Sequence, residues 1–251
     1  MTDATTDVPT VRQIDVRGKV AVITGAASGI GAALAERLAA RGTRLLLSDI
    51  SSTTLQQIAD RLGATALVAD VSHPDDVERL AEAAGNARLV CLNAGVTSTA
   101  PGPVWEAPPE EWQRVVGVNL GGVVNGLRSF VPRLLAAGEP AQVLITASLA
   151  GLATWPGGGP YAASKHAVVT VAEQAAMALA DSPIRITVLC PALVRSGMSE
   201  VGDDPLDVAD EALAAVSDGR FAAVPESWRK AIRVRGERLA LGLPPVVPEP
   251  S

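Results

Sequence analysis

The sequence predicts one α/β domain, a doubly wound parallel sheet with helices on both faces. Three observations predict it. Short apolar runs alternate along the chain with longer helix-like segments. Those runs lack period-2 alternation, which is the pattern of strands covered on both faces. The first run passes through a glycine-rich turn straight into a helical segment. The chain has 251 residues, suited to one large domain at roughly 100–200 residues per domain, and 48% of them are hydrophobic.

Each element follows in order. Val20–Thr24 is an unbroken apolar run that stops at Gly25. Gly29–Arg41 sets Ile30, Leu34 and Leu38 on one helical face. Leu45–Ser48 is the second strand and ends at Asp49. Ser52–Leu62 is a helix behind an N-cap-like serine. Ala66–Val68 is a weaker strand ending at Asp70. Asp75–Ala84 starts behind Pro74, with acidic residues that suit the positive end of a helix dipole. Leu89–Leu92 runs into Asn93. Pro108–Leu135 reads as a long helix broken near Gly121-Gly122. Val143–Thr146 ends near Ser148, and Pro160–Ala180 is a helix rich in Ala and Val. Ile184–Leu189 ends at Cys190 and Pro191. Phe221–Val224 is the last strand, and Glu226–Leu241 an amphipathic helix that either covers the core, meets another subunit or caps a substrate. Residues 1–17 read as a loose leader, 18–242 as the domain and 243–251 as a proline-rich tail.

Composition excludes several classes of function. Lys and Arg number 21 against 27 Asp and Glu, a formal charge of −6, so no clustered cations are available for a nucleic acid. No run reaches the ~18 apolar residues of a membrane span, and the N-terminus lacks a basic and apolar leader, so a cytoplasmic protein is expected. Cys91 and Cys190 lie inside apolar runs, as reduced and buried thiols do. The two histidines, His73 and His166, are too far apart to suggest a metal site, and none is expected.

The turn Thr24-Gly25-Ala26-Ala27-Ser28-Gly29-Ile30-Gly31 carries the first chemical signal. Glycines there permit a tight turn and a close backbone approach to a pyrophosphate, while the helix start offers N–H groups to it. No Gly-Lys-Ser/Thr follows, which disfavours a triphosphate P-loop. Asp49, 18 residues after Gly31, suits a ribose hydroxyl and repels a 2′-phosphate. With no cation in the turn or directly after Asp49, the expected cofactor is NAD(H) rather than NADP(H). Gly25, Ser28, Gly29, Ile30, Gly31 and Asp49 are therefore candidate cofactor-binding residues in a Rossmann-type domain.

The second signal is Tyr161-Ala162-Ala163-Ser164-Lys165. The chain has one tyrosine and three lysines, and four residues apart on a helix puts Tyr161 and Lys165 on one face. An ammonium there is expected to lower the phenol pKa from about 10 toward neutrality, making Tyr161 a general acid/base. Ser148, 13 residues earlier at the carboxyl end of a strand, is placed to hydrogen-bond a reacting oxygen.

With these residues in order, the sequence resembles the short-chain dehydrogenase/reductase family from about Lys19 to Met198. The resemblance implies further roles. Asn119 would hold a water that continues a proton relay from Lys165. Asp70 and the backbone of Val71 would contact adenine. Asn93, Ala94 and Gly95 would shape the floor beneath the cofactor, and Tyr161 and Lys165 would also touch it. Pro191 to Val194 would lie along the nicotinamide amide, with Ser196 in reach of it. Leu92 stands where the family commonly has a first Asn, and Ala192 where it commonly has Gly. A homodimer or homotetramer is implied. Trp105 and Trp155, with Leu149, Leu152, Leu193 and Met198, are expected to line an apolar pocket beside Ser148. Trp155, Leu193 and Met198 are the candidate substrate contacts. The expected activity is interconversion of a moderately hydrophobic, uncharged secondary alcohol and its ketone. A non-catalytic NAD sensor on the same fold is the alternative, and a methyltransferase is a more distant one.

Overall fold

The computed structural model describes residues 15–100, 102–196 and 200–250. In chain order the elements are β1 (Val20–Thr24), α1 (Gly29–Ala40), β2 (Arg44–Asp49), α2 (Ser52–Leu62), β3 (Thr65–Val68), α3 (Pro74–Ala84), β4 (Ala87–Leu92), α4 (Pro109–Val116), α5 (Gly122–Ala137), β5 (Ala141–Thr146), α6 (Gly159–Ala178), β6 (Ile184–Leu189), α7 (Pro205–Ser217), β7 (Ala222–Ala223) and α8 (Arg229–Ala240). Seven strands form one sheet in the order β3-β2-β1-β4-β5-β6-β7, and every pairing is parallel.

Successive residues of a strand feed opposite faces. Ile23, Leu47 and Cys91 pack with Leu34 and Leu38 of α1, Leu55 of α2 and Leu213 of α7. Val22, Leu46 and Val90 pack with Leu80 of α3, Phe130 of α5 and Val168 of α6. Both faces are therefore core, which explains strands that are apolar throughout. Each such side chain contributes roughly 1.5–3 kcal/mol when fully buried. β1 pairs with β2 on one side and β4 on the other, so the strand order reverses between β1 and β4. That reversal opens a crevice at the carboxyl ends of the strands.

Some elements differ from the sequence reading. The irregularity expected near Gly121-Gly122 is a π turn over Gly117–Gly121, which joins α4 to α5 at that glycine pair. β7 is only two residues long, against the four expected. α7 was not anticipated at all. Its start is conventional, because the Asp204 side chain accepts the Leu206 N–H at 2.9 Å and Pro205 occupies the first turn. Its apolar stripe is rich in alanine and gives weak periodic contrast. α8 does not cover the core, since Ala231 is its only buried residue. Part of the leader (1–14) and Ser251 lie outside the described residues. Among those described, no helix is long and apolar enough to cross a membrane, and no cluster of three or more His, Cys, Asp or Glu could hold a metal ion.

Candidate active site

A cavity of about 1100 Å³ occupies the crevice. Typical small-ligand pockets span ~300–1000 Å³, so this one has room for a large ligand or two together. One end is built from Gly25, Ser28–Ile30, Asp49 and Ala69–Val71. The rest of the lining holds Ser148, Tyr161, Lys165 and the segment Pro191–Val194, and Ser196 reaches back to the glycine turn, where a Cβ on Gly29 would lie 2.9 Å from its Cβ. Asn93, Ala94 and Gly95 lie between them on the same wall.

The glycine turn fits a pyrophosphate on structural grounds. Gly25 has φ +66°, and a Cβ there would stand 2.7 Å from the Ala94 Cα. No side chain caps the first turn of α1, which leaves its N–H groups to a ligand. Asp49 hangs over the same end. Its carboxylate accepts the Ala27 N–H at 3.0 Å and the Ser51 N–H at 2.9 Å, which fixes its direction. Asp70 accepts both the N–H and the hydroxyl of Ser72, at 2.9 and 2.7 Å. Partial burial pushes its carboxyl up, but the Ser72 hydrogen bonds and His73 together hold it below the usual value. Gly31 does not line the cavity. It is buried beneath the turn, where a Cβ would fall 2.0 Å from the Gly25 carbonyl oxygen, so its role is close packing rather than ligand contact.

Thr24, Asn93 and Thr146 tie the ends of β1, β4 and β5 together. The Thr24 hydroxyl accepts the N–H groups of Asn93 and Ala94 at 2.9 and 3.1 Å. The Asn93 amide donates to the Thr24 carbonyl at 3.1 Å and accepts from the Thr146 hydroxyl at 3.0 Å. Leu92 adds no such bond and instead packs against α5, where a Cβ on Gly126 would lie 2.4 Å from it. The unusual Ala192 carries no strain, because among the described residues only glycines have positive φ.

Ser148 follows β5 in extended conformation, and its hydroxyl accepts the Ala150 N–H at 3.1 Å, capping a short turn over Leu149–Gly151. That turn presses on α6, since a Cβ on Gly151 would lie 2.5 Å from the Lys165 carbonyl. Ser148 is thus held against the helix that carries Tyr161 and Lys165. The Lys165 ammonium is buried, donates to the Thr146 carbonyl at 3.0 Å and lies over the Tyr161 ring, 5.9 Å from its centroid.

The electrostatics correct one expectation. Burial pushes the Tyr161 hydroxyl above its ordinary value, and the Ser148 hydroxyl offsets this only in part. Burial likewise brings the Lys165 ammonium down to about 8, opposed by neighbouring Cys190. The protein's own field therefore does not make the phenol ionise readily. Desolvation dominates both groups, and the Lys165 ammonium faces the ring and is engaged with a carbonyl.

Other expected residues fall in different places. Asn119 is fully buried and does not line the cavity. Its amide accepts the Val96 N–H at 2.8 Å and donates to the Val96 carbonyl and the Ser164 hydroxyl, both at 3.0 Å. Both of its N–H groups are used, so the side chain positions a loop and is not free to donate to a relay water. Trp155 and Leu193 line the cavity as expected, with Leu149. Leu152 does not line it, and Trp105, 81% exposed, stands away from it. Met198 lies outside the described residues. Trp228, in the segment for which capping a substrate was one of the expected roles, lines the cavity with Val247 and Pro248 of the tail, which were not expected there. Glu111 was also missed. It is buried, accepts the Thr99 N–H at 2.5 Å and binds Arg114, whose guanidinium reaches the Thr97 carbonyl at 2.8 Å. The Arg114 guanidinium, followed by the Thr99 N–H, holds the Glu111 carboxyl down at about 2. This pair clamps the cavity loop after β4 onto α4. Only the spacing of Glu111 and Arg114 was visible beforehand.

The short chain dehydrogenase family model matches residues 19–205, three quarters of the chain and all of the cavity lining except Trp228, Val247 and Pro248. The chain belongs to the short-chain dehydrogenase/reductase family. It is similar to the 1-deoxy-11-beta-hydroxypentalenate dehydrogenase of Streptomyces avermitilis, with 41% identity over 188 residues, 71% of this chain and 70% of the relative. It is 35% identical to the 3beta-hydroxysteroid dehydrogenase 2 of Eggerthella lenta over 183 residues, 69% of this chain and 70% of that one. Among solved structures, a short chain dehydrogenase/reductase from Burkholderia phymatum in complex with NAD superposes with a TM-score of 0.88. That match has 33% identity and covers 95% of this chain and 100% of the other. As a family member the chain is an oxidoreductase of alcohols and ketones that uses NAD, and the expected fold class and reaction both hold.

Proposed function

We propose that Tyr161 exchanges the proton of this alcohol–ketone oxidoreduction, on an uncharged and apolar secondary alcohol or its ketone. The observation that carries the reading is the convergence of Ser148, Tyr161 and Lys165 on the same cavity as the glycine turn. The turn Gly25–Ile30, Asp49, Asp70 and Val71 would hold the adenosine and pyrophosphate half of NAD, and Asn93–Gly95 would form the floor beneath it. Tyr161, Lys165, Pro191, Val194 and Ser196 would hold its nicotinamide half. When bound, NAD supplies the hydride acceptor or NADH the donor. Ser148 orients the substrate oxygen by its hydroxyl. In reduction Tyr161 gives its proton to that oxygen as the carbonyl carbon becomes C–H. In oxidation Tyr161 takes the hydroxyl proton as the C–H electron pair leaves with hydrogen. Lys165 donates its charge to the phenol's side of the site, and Asn119, Glu111 and Arg114 position the facing loop.

Because burial raises the Tyr161 pKa, the phenol is protonated at neutral pH and ready to donate. Oxidation needs the ionised form, so its rate is expected to climb with pH from 7 upward, whereas reduction is expected to stay level until the pH passes the ordinary phenol value of 10. Initial rates in both directions across that range check the sign. Among the described lining residues the charged side chains are Asp49, Asp70 and Lys165, which leaves the rest of the wall without a partner for a charged substrate.

Tyr161→Phe tests the role. Loss of an acid/base of this kind costs about 10²–10⁴ in turnover, and NADH affinity is expected to stay unchanged. Undiminished turnover in the variant rejects the proton-transfer role, and a wild type that binds NADH but turns over no carbonyl favours a sensor. Asp49 makes NAD the better substrate of the two dinucleotides, so a tenfold lower KM for NADPH than for NADH refutes its role. Assembly as a homodimer or homotetramer through α5 and α6 belongs to the same reading, supported by the exposed Leu135 and Met177 on those helices. Light scattering on the purified protein tests it, a monomer rejecting it. The two unpaired, buried cysteines suit a reducing compartment such as the cytoplasm.

A further inference from the structure

The family match ends at residue 205, yet three residues beyond it, Trp228, Val247 and Pro248, line the cavity. Sheet order says which end they reach. β7 lies beside β6 at the edge opposite β3, and Trp228 comes five residues after β7 ends. The glycine turn and Asp49 belong to β1 and β2, on the other side of the β1–β4 reversal. Trp228 therefore stands at the reaction end, near the loop that follows β6.

The tail arrives by a defined route. α8 ends at Gly242, whose φ is +67°. The Leu243 N–H then donates back to the Arg238 carbonyl at 2.8 Å, and the Arg238 guanidinium donates to the Pro244 carbonyl at 2.8 Å. This lock reverses the chain and sends Pro244–Pro250 back toward the cavity as an extended strap. Pro244, Pro245 and Pro248 restrict its backbone before any ligand binds, so little ordering entropy is lost on binding. The strap adds no residue to either core cluster, and Val247 is 62% exposed. Burying an exposed apolar residue against a ligand is favourable, and the core gains nothing from holding it there.

We propose that Trp228, Val247 and Pro248 form a substrate wall that selects the size of the carbon skeleton, favouring a multi-ring apolar alcohol or ketone over a small one. The inference rests on the alcohol–ketone reading and deepens it. Trp155 and Leu149 add apolar surface to the same cavity. A small ketone engages Ser148 and Tyr161 without reaching the strap, whereas a fused-ring skeleton fills the space between the two tryptophans.

The test is NADH-linked reduction of cyclohexanone, 2-decalone and a four-ring 3-ketosteroid. The readout is the ratio of kcat/KM for the larger ketones to that for cyclohexanone. Trp228→Ala and Val247→Ala are each expected to lower that ratio ~tenfold, the scale at which one hydrophobic contact discriminates. NADH affinity is expected to hold, and the exposed-site control Leu241→Ala to leave the ratio unmoved. An unchanged ratio in both wall variants overturns the proposal, as does a fall in NADH affinity that accounts for the change. A second readout needs no turnover. Both native cysteines are buried, so Val247→Cys offers one accessible thiol to a maleimide. Saturating NADH with 2-decalone is expected to slow its labelling and to leave Leu241→Cys unaffected. If the wild type reduces no ketone, the reading beneath the proposal fails. Slowed labelling would still put a ligand under the strap, while unslowed labelling overturns the strap as well.

Discussion

Lys165 carries the sharpest conflict between stability and chemistry at the scale of single residues. Its ammonium is buried with one fixed acceptor, the Thr146 carbonyl, and burial lowers its pKa from 10.5 to about 8. Between those values the unfolded chain binds the proton more tightly than the folded one. Stability from this group is therefore lowest below pH 8 and rises as pH climbs toward 10.5, by about 3 kcal/mol at most. Lys165→Met is expected to abolish most activity, to leave the urea midpoint at pH 7 equal or higher, and to flatten the midpoint between pH 8 and 10. A midpoint that drops at pH 7 would mean the ammonium stabilises the fold. The Tyr161–Lys165 pairing was legible from four-residue spacing alone, but the direction of the Tyr161 shift was not. A pKa depends on how completely other segments exclude water, and no local spacing reports that.

At the scale of elements, the turn between β1 and α1 shows what its glycines separately do. Gly25 supplies a backbone angle and a close approach, whereas Gly31 lets the helix sit on the turn beneath it. Gly31→Ala introduces a Cβ 2.0 Å from a backbone oxygen that cannot move without moving the turn. The expected cost is about 1–3 kcal/mol, read as a lower Tm, together with weaker NADH binding. A variant with wild-type Tm and affinity would show that the turn relaxes freely. The π turn over Gly117–Gly121 is the counterpart on the other side of the sheet. It carries Asn119, whose amide grips Val96, while Glu111 and Arg114 on α4 grip Thr97 and Thr99. Sequence could flag the glycines that break the helix. It could not show that the break serves to pin the loop across the cavity, because Asn119 and Val96 meet only once α5 has packed against β4.

At the scale of the molecule, both faces of the sheet are core, and this protects the thiols. Cys91 and Cys190 are buried on β4 and at the end of β6, where burial pushes each thiol up to about 12. A coloured disulfide reagent is expected to find neither cysteine in the native protein and both in guanidinium. Rapid native reaction would mean that the sheet opens far more often than this packing allows. The alternation of strands and helices, the glycine turn with Asp49, and the Tyr161–Lys165 pair were all determined by sequence. Each rests on residues within a few positions of one another, on an apolar pattern continuous along one element, or, for Asp49, on its place at the end of the second apolar run. Tertiary structure alone decided that Trp228 rather than Trp105 lines the cavity, that both amide N–H groups of Asn119 are engaged by a loop and Ser164, and that the phenol rises rather than falls. Those outcomes depend on which distant segments meet and how much water they shut out, and chain distance encodes neither.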